Sequence, residues 1–261
     1  MATATPQQIN GSAPDMKGSI PVAVSAAILL VIAIYFAASA AAQLFLGLYP
    51  MLLGWSAEKT EAWVTGSMAA QFTYVLAVEL FTMGMLVWYL RRKRIPLRDL
   101  GLVRPRLRDL GASIAAYVPY FLINAVATLT AAALLHVDLE QPQQTGFEAA
   151  RSPTDLVLTF ISLVILPPLV EEIVMRGFLF GSLKRHMTVI KAALVTSVLF
   201  ALAHLQFGNG APLLWVAAID TFILSLVLCY LRQKTGSLWA GIGLHAIKNC
   251  LAFLTIFIFT R

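Results

Sequence analysis

Charge is what this chain has least of. Only 12% of its 261 residues are Asp, Glu, Lys or Arg, against about 25% in an ordinary soluble domain. With 59% of the residues hydrophobic and a mean hydropathy of +0.79, the chain has too little polar surface to cover a water-soluble globule, so lipid is the solvent for most of it. Cysteine is scarce too. Cys229 and Cys250 are the only two; both lie in apolar runs, and their spacing suits neither a metal cluster nor a disulfide framework. Both are read as packing residues. The sequence also holds no Gly-rich nucleotide loop, no HExxH helix and no internal repeat. A net charge of +6 would point to nucleic acid in a soluble protein. Here the basic residues fall in loops between apolar runs, so the expected environment is a bilayer and no nucleic-acid partner is expected.

What is present is a series of long apolar runs. Residues 1–18 are small and polar and read as a disordered tail; residues 19–261 read as a single transmembrane domain. Apolar stretches follow at about 20–50, 64–90, 109–135, 154–182, 188–206, 212–231 and 237–260, each long enough to span as a helix of about 20 residues. The fold expected is an all-α polytopic membrane protein with about seven transmembrane helices. The first stretch is too long, and its leading region too weakly basic, for a cleaved secretory signal.

Loop charge gives the orientation, because Lys and Arg stay on the cytoplasmic side. The loop after span two carries Arg91, Arg92, Lys93, Arg94, Arg98, Arg104, Arg106 and Arg108. The loop after span four carries Lys184, Arg185 and Lys191, and that after span six Arg232 and Lys234. The intervening loops hold Glu58 and Glu61, then Asp138, Glu140 and Glu148, then no charge. The alternation predicts a cell (inner) membrane protein with a cytoplasmic N-terminus and an extracytoplasmic C-terminus.

A few residues do not belong in such segments unless they do something. An ionisable group at the centre of a spanning helix costs about 2.5–3.5 kcal/mol on insertion scales. Span four contains Glu171, Glu172 and Arg176, span five ends at His204, and span seven contains His245 and Asn249. Glu172 and Arg176 are four apart and can pair. Neighbours in a helix point about 100° apart, so Glu171 and Glu172 are not expected to serve the same neighbour; Glu171 is left for a partner from another helix. Counted from the cytoplasmic ends, Glu171 lies roughly 20 Å deep, His204 roughly 22 Å, and His245 and Asn249 roughly 12 and 18 Å, which allows one common layer.

Such a set suits hydrolysis. A buried carboxylate beside an imidazole can hold a water and take its proton, and a second imidazole and an amide can stabilise the oxyanion that forms when the resulting hydroxide attacks a carbonyl. In this reading Glu171 is the general base and His204 positions the water. His245 and Asn249 donate to the oxyanion, and Glu172 and Arg176 support them.

The motifs Glu171-Glu172-Ile-Val-Met-Arg176, Phe200-Ala-Leu-Ala-His204 and His245-Ala-Ile-Lys-Asn249, in that order on successive helices over about residues 154–252, resemble those of the CPBP family, the CAAX proteases and bacteriocin-processing enzymes also called the Abi family. The resemblance implies an intramembrane, metal-independent glutamic endopeptidase with no cofactor and a site that opens to the cytoplasm. It places the catalytic glutamate at Glu171, its histidine partner at His204 and the oxyanion site at His245 and Asn249. The partner it implies is a peptide or protein substrate, membrane-anchored or lipid-modified; some members cut just after an isoprenylated cysteine.

Two other readings keep the same residues. Glu171, His204 and His245 form a His₂Glu set of the kind that holds catalytic zinc, which would make the chain an intramembrane metalloprotease. Alternatively the chain is a non-catalytic membrane scaffold or immunity protein that keeps the motifs for stability. Glu79 in span two and Asp220 in span six match no motif; they either line a cavity or complete a helix contact.

Overall fold

A lipid solvent inverts the usual rule of burial, and the helix Leu107–Leu135 shows it plainly. Its buried residues are Asp109, Ser113 and Tyr120, while Leu110, Ile114, Val118, Phe121, Leu122 and Leu129 face outward. Polar groups turn into the bundle and apolar ones meet the acyl chains, as a spanning helix requires.

The computed structural model describes residues 20–139, 145–205 and 213–259; the polar tail at 1–18 lies outside them. In chain order the helices are α1 (Val24–Leu52), α2 (Ala57–Gly66), α3 (Met68–Arg92), α4 (Leu107–Leu135), α5 (Pro153–Leu183), α6 (Val189–Ala203), α7 (Trp215–Thr235) and α8 (Trp239–Phe259), with a short 3₁₀ turn at Leu97–Leu100. Among the described residues there is no strand. The protein is an all-helical, multi-pass membrane protein.

Six of these helices are long and apolar enough to cross a membrane, where the sequence pattern suggested about seven. The difference lies in α6. It has 15 residues, about 22 Å of helix, and it ends at Ala203 with His204 as its C-cap. The stretch read from sequence reaches about residue 206, but the helix stops at Ala203. A second difference is α2, in a loop read only for its charge. Ser56 caps its N-terminus by accepting from the Lys59 N–H, and Glu58 sits in its first turn, the arrangement that favours a helix start.

α5 is the centre of the bundle and touches α1, α3, α6, α7 and α8. Every residue from Glu172 to Leu183 in it is buried. It is not a regular α-helix. The stretches Ile161–Ile165 and Glu172–Leu179 are π-helical, with the wider turn that i→i+5 bonding imposes.

One end of the bundle gathers the three basic loops and the chain segment before α1. Ile20 donates its N–H to the Gly181 carbonyl, and Leu238 donates to Gly101 O. His186 Nε2 bonds Val22 O, Lys184 Nζ donates to Gln233, and Arg232 Nη2 donates to Asp99 O. Arg232 and Lys184, read from sequence as loop charges, are both buried; Arg232 lies in the last turn of α7 and works as a clamp. Gly101 makes room for it. That residue has φ +93°, and a Cβ there would stand 2.6 Å from the Arg232 guanidinium carbon, so only glycine serves both backbone and packing.

Candidate active site

The motif residues come from three helices. α5 supplies Glu171, Glu172 and Arg176. His204 caps α6, and His245 and Asn249 stand one turn apart on α8.

Glu172 is wholly internal. Its Oε1 accepts from Arg176 Nη1 at 2.9 Å, with both side chains fully buried, and the same oxygen lies 3.2 Å from His245 Nδ1. The Arg176 guanidinium lies over the Phe200 ring, 4.4 Å from its centroid. That ring also lies 4.7 Å from the imidazole of His204 and 6.2 Å, edge to face, from that of His245. Phe200 is thus the common wall between the ion pair and both histidines. Close approach of α8 to α5 depends on Gly241, where a Cβ would stand 3.0 Å from Glu172 Oε2.

Glu171 differs from its neighbour. Its side chain keeps 19% exposure where Glu172 has none. Its Oε2 makes no hydrogen bond among the described residues and lies 3.9 Å from His245 Nε2. This corrects the expectation that the two glutamates cannot share a partner. Both address His245, from opposite edges of the ring. The π-turn that begins at Glu172 takes a smaller angular step per residue than the 100° of an α-helix, and an imidazole presents two nitrogens rather than one.

Hydrogen bonding fixes which ring nitrogens are left over. His204 Nδ1 lies 2.8 Å from Phe200 O. A carbonyl only accepts, so Nδ1 carries the proton and Nε2 is the free nitrogen. His245 likewise commits Nδ1 to the Glu172 carboxylate, which leaves Nε2 on the side of Glu171. Asn249 donates through Nδ2 to Leu163 O at 2.8 Å and keeps one further N–H and its own oxygen.

Among the described residues, no three His, Cys, Asp or Glu side chains are gathered closely enough to hold a metal ion. The donor set proposed for zinc, Glu171, His204 and His245, is therefore not assembled as ligands in this structure.

Two polar residues that sequence reasoning left without a role now have surroundings. Asp220 accepts a short hydrogen bond from the Tyr120 hydroxyl and pairs with Lys248 Nζ at 2.8 Å, joining α4, α7 and α8. It also lines a cavity of about 410 Å³ between α4 and α7, with Asn124 and Thr128. Glu79 on α3 is buried and has one carboxylate oxygen without a hydrogen bond among the described residues. Lys248 lies within the motif on α8, which does not name it; its three-residue spacing from His245 is the signal the sequence offers.

Removing one member of the Asp220 cluster should be felt as instability. Asp220→Leu alone leaves a partly buried ammonium with no carboxylate and is expected to cost about 2–3 kcal/mol. Asp220→Leu with Lys248→Met should recover most of it. Thermal unfolding of the detergent-solubilised protein reads both; equal losses in the single and double variants would show that the pair does not hold the helices together.

Comparison with known proteins gives the following. Residues 153–251 match the family model described as type II CAAX prenyl endopeptidase Rce1-like, a stretch that holds all three motifs. An uncharacterized 24.3 kDa protein of Escherichia coli is 31% identical over 187 residues, which cover 67% of this chain and 79% of that protein. No solved structure matches the chain.

Proposed function

Because this chain belongs to the CPBP family, the CAAX-protease family to which the Rce1-like type II prenyl endopeptidases belong, we propose that it is an intramembrane glutamic endopeptidase in which Glu171 is the general base. The observation that carries this reading is the contrast between two adjacent acids. Glu172 is fully buried, with Oε1 committed to Arg176 and His245, whereas Glu171 keeps 19% side-chain exposure and its Oε2 stands 3.9 Å from His245 Nε2 with no hydrogen bond among the described residues.

Water held between Glu171 and the free Nε2 of His204 gives a proton to the Glu171 carboxylate as its oxygen attacks the scissile carbonyl carbon. The carbonyl π bond opens to an oxyanion. The remaining N–H of Asn249 donates to it, and His245 adds a second donor at Nε2 when its ring is protonated on both nitrogens, since Nδ1–H is already given to Glu172. Collapse breaks the C–N bond, and the leaving amine takes the proton from Glu171. No side-chain nucleophile and no metal enters these steps. The substrate is a peptide segment of a membrane-associated protein. The gathering of the basic loops with the segment before α1 at one end supports a cytoplasmic N-terminus and a site that opens to the cytoplasm, in the cell membrane.

The test compares new N- and C-termini in membranes of cells making wild type or Glu171→Gln, matched for folded protein. Peptides released only by wild type identify the substrate and the bond cut; identical profiles would favour the scaffold reading. With a substrate peptide in hand, EDTA is expected to leave cleavage unchanged. Loss of activity that added zinc restores would make Glu171, His204 and His245 ligands instead.

A further inference from the structure

Asn249 donates to one particular carbonyl, and the sequence explains why that carbonyl needs a donor. In an α-helix the oxygen of Leu163 would accept from the N–H of residue 167, and in a π-turn from that of residue 168. Both positions are proline, Pro167 and Pro168, and neither has an N–H to give. The N–H of Leu166 does not fill the gap, since it turns back to Ile161 O. The two main-chain groups that normally serve Leu163 O are therefore missing at once. At membrane depth there is no water to take their place, so a bare carbonyl there is costly. Asn249 Nδ2, from the facing helix, lies 2.8 Å from that oxygen.

The same two helices are joined a second time. His245, one turn earlier on α8, bonds Glu172, nine residues beyond Leu163 on α5. One bond alone would let the helices pivot. Two bonds at different heights fix both the axial position and the rotation of α5 against α8. The proline pair opens the segment Leu166–Glu171, which ends on Glu171, so a shift at the break is carried directly to that carboxylate.

We infer that Asn249 is a positioning residue: its amide replaces the donor that Pro167 and Pro168 remove, and so holds α5 where Glu171 and Glu172 reach opposite edges of the His245 ring. The bond exists in the resting protein, so the inference goes beyond the proposed reaction and does not need it. The second N–H of Asn249 stays available to an oxyanion, and the two roles separate in experiment.

The test is a mutant cycle on the full-length protein in detergent, with no substrate present. Asn249→Leu keeps the volume and loses the donor. In the wild-type background it is expected to lower Tm by about 2–4 °C. In a Pro167→Ala/Pro168→Ala background, where the chain itself can again donate to Leu163 O, the same change should lower Tm by less than half as much. The ¹⁵N resonances of the His245 ring, which report its bond to Glu172, should shift with Asn249→Leu in the first background and not in the second. Equal Tm losses in both backgrounds, or no loss and no ¹⁵N shift in the first, would overturn the inference and leave Asn249 as an oxyanion donor only. If the double-alanine chain does not fold, Pro167→Ala alone restores the α-type donor and runs the same cycle with the same two outcomes. Because neither readout involves cleavage, the result stands whether or not the protein proves to be a peptidase.

Discussion

Glu171→Gln is expected to lower cleavage by about 10²- to 10⁴-fold while the folded yield stays close to wild type. Glutamine has nearly the volume and shape of glutamate but cannot take a proton from water. It also breaks nothing that holds the fold, because Glu171 Oε2 makes no hydrogen bond among the described residues and stands 3.9 Å from its nearest imidazole nitrogen. The measurement is the single-turnover rate on a peptide spanning the bond found in membranes, at matched concentrations of folded protein. Glu172→Gln is the control, and it should fail differently. That side chain is fully buried between Arg176 and His245, so its loss of activity should come with loss of folded protein. A Glu171→Gln rate within tenfold of wild type would remove Glu171 as the base.

The parts of this picture that were legible in the sequence are those governed by one-dimensional rules. Apolar runs of spanning length gave the helices, and ionisable residues within them gave the motif set. The alternation of basic loops anticipated that the loops at 93–106 and 184–188 and the end of α7 with its following turn, 232–238, meet at one end of the bundle, as the bonds from Arg232, Lys184 and Leu238 have them do. What was not legible depends on backbone geometry. A helical wheel with a fixed 100° step separates Glu171 from Glu172, but α5 does not keep that step. Its π-turn starts at Glu172, and both acids face His245. The end of α6 was closer to legible: span five is read to end at His204, and His204 is the C-cap of a helix that stops at Ala203. Pro167 and Pro168 could be read as a break in span four, but only the structure shows that the carbonyl they strand is met by a motif asparagine. Asp220 matched no motif and Lys248 had no reading of its own; they are a pair only because α7 and α8 are neighbours.

Arg176→Met should be the most damaging change to the fold at this site. Methionine fills much of the same space beneath the Phe200 ring, so packing is largely kept, but Glu172 loses the guanidinium at 2.9 Å in a fully buried position. Breaking one member of such a pair costs about 3–5 kcal/mol, because the remaining charge has no solvent to turn to. That corresponds to a fall in Tm on the order of 10 °C for a chain of this size. Neutralising both members, Glu172→Gln with Arg176→Met, should recover much of that loss, since a buried pair contributes little net stability over neutral groups that fit. Activity should not return with it. Glu172 Oε1 also accepts from His245 Nδ1, and a glutamine there offers a neutral amide in place of the carboxylate that orients the ring. A double variant that is stable and inactive would therefore separate the two duties of Glu172, holding Arg176 in the bundle and holding His245 toward Glu171. A double variant as unstable as Arg176→Met would mean that the guanidinium is needed for something other than Glu172, and the face of Phe200, 4.4 Å away, would be the first contact to test.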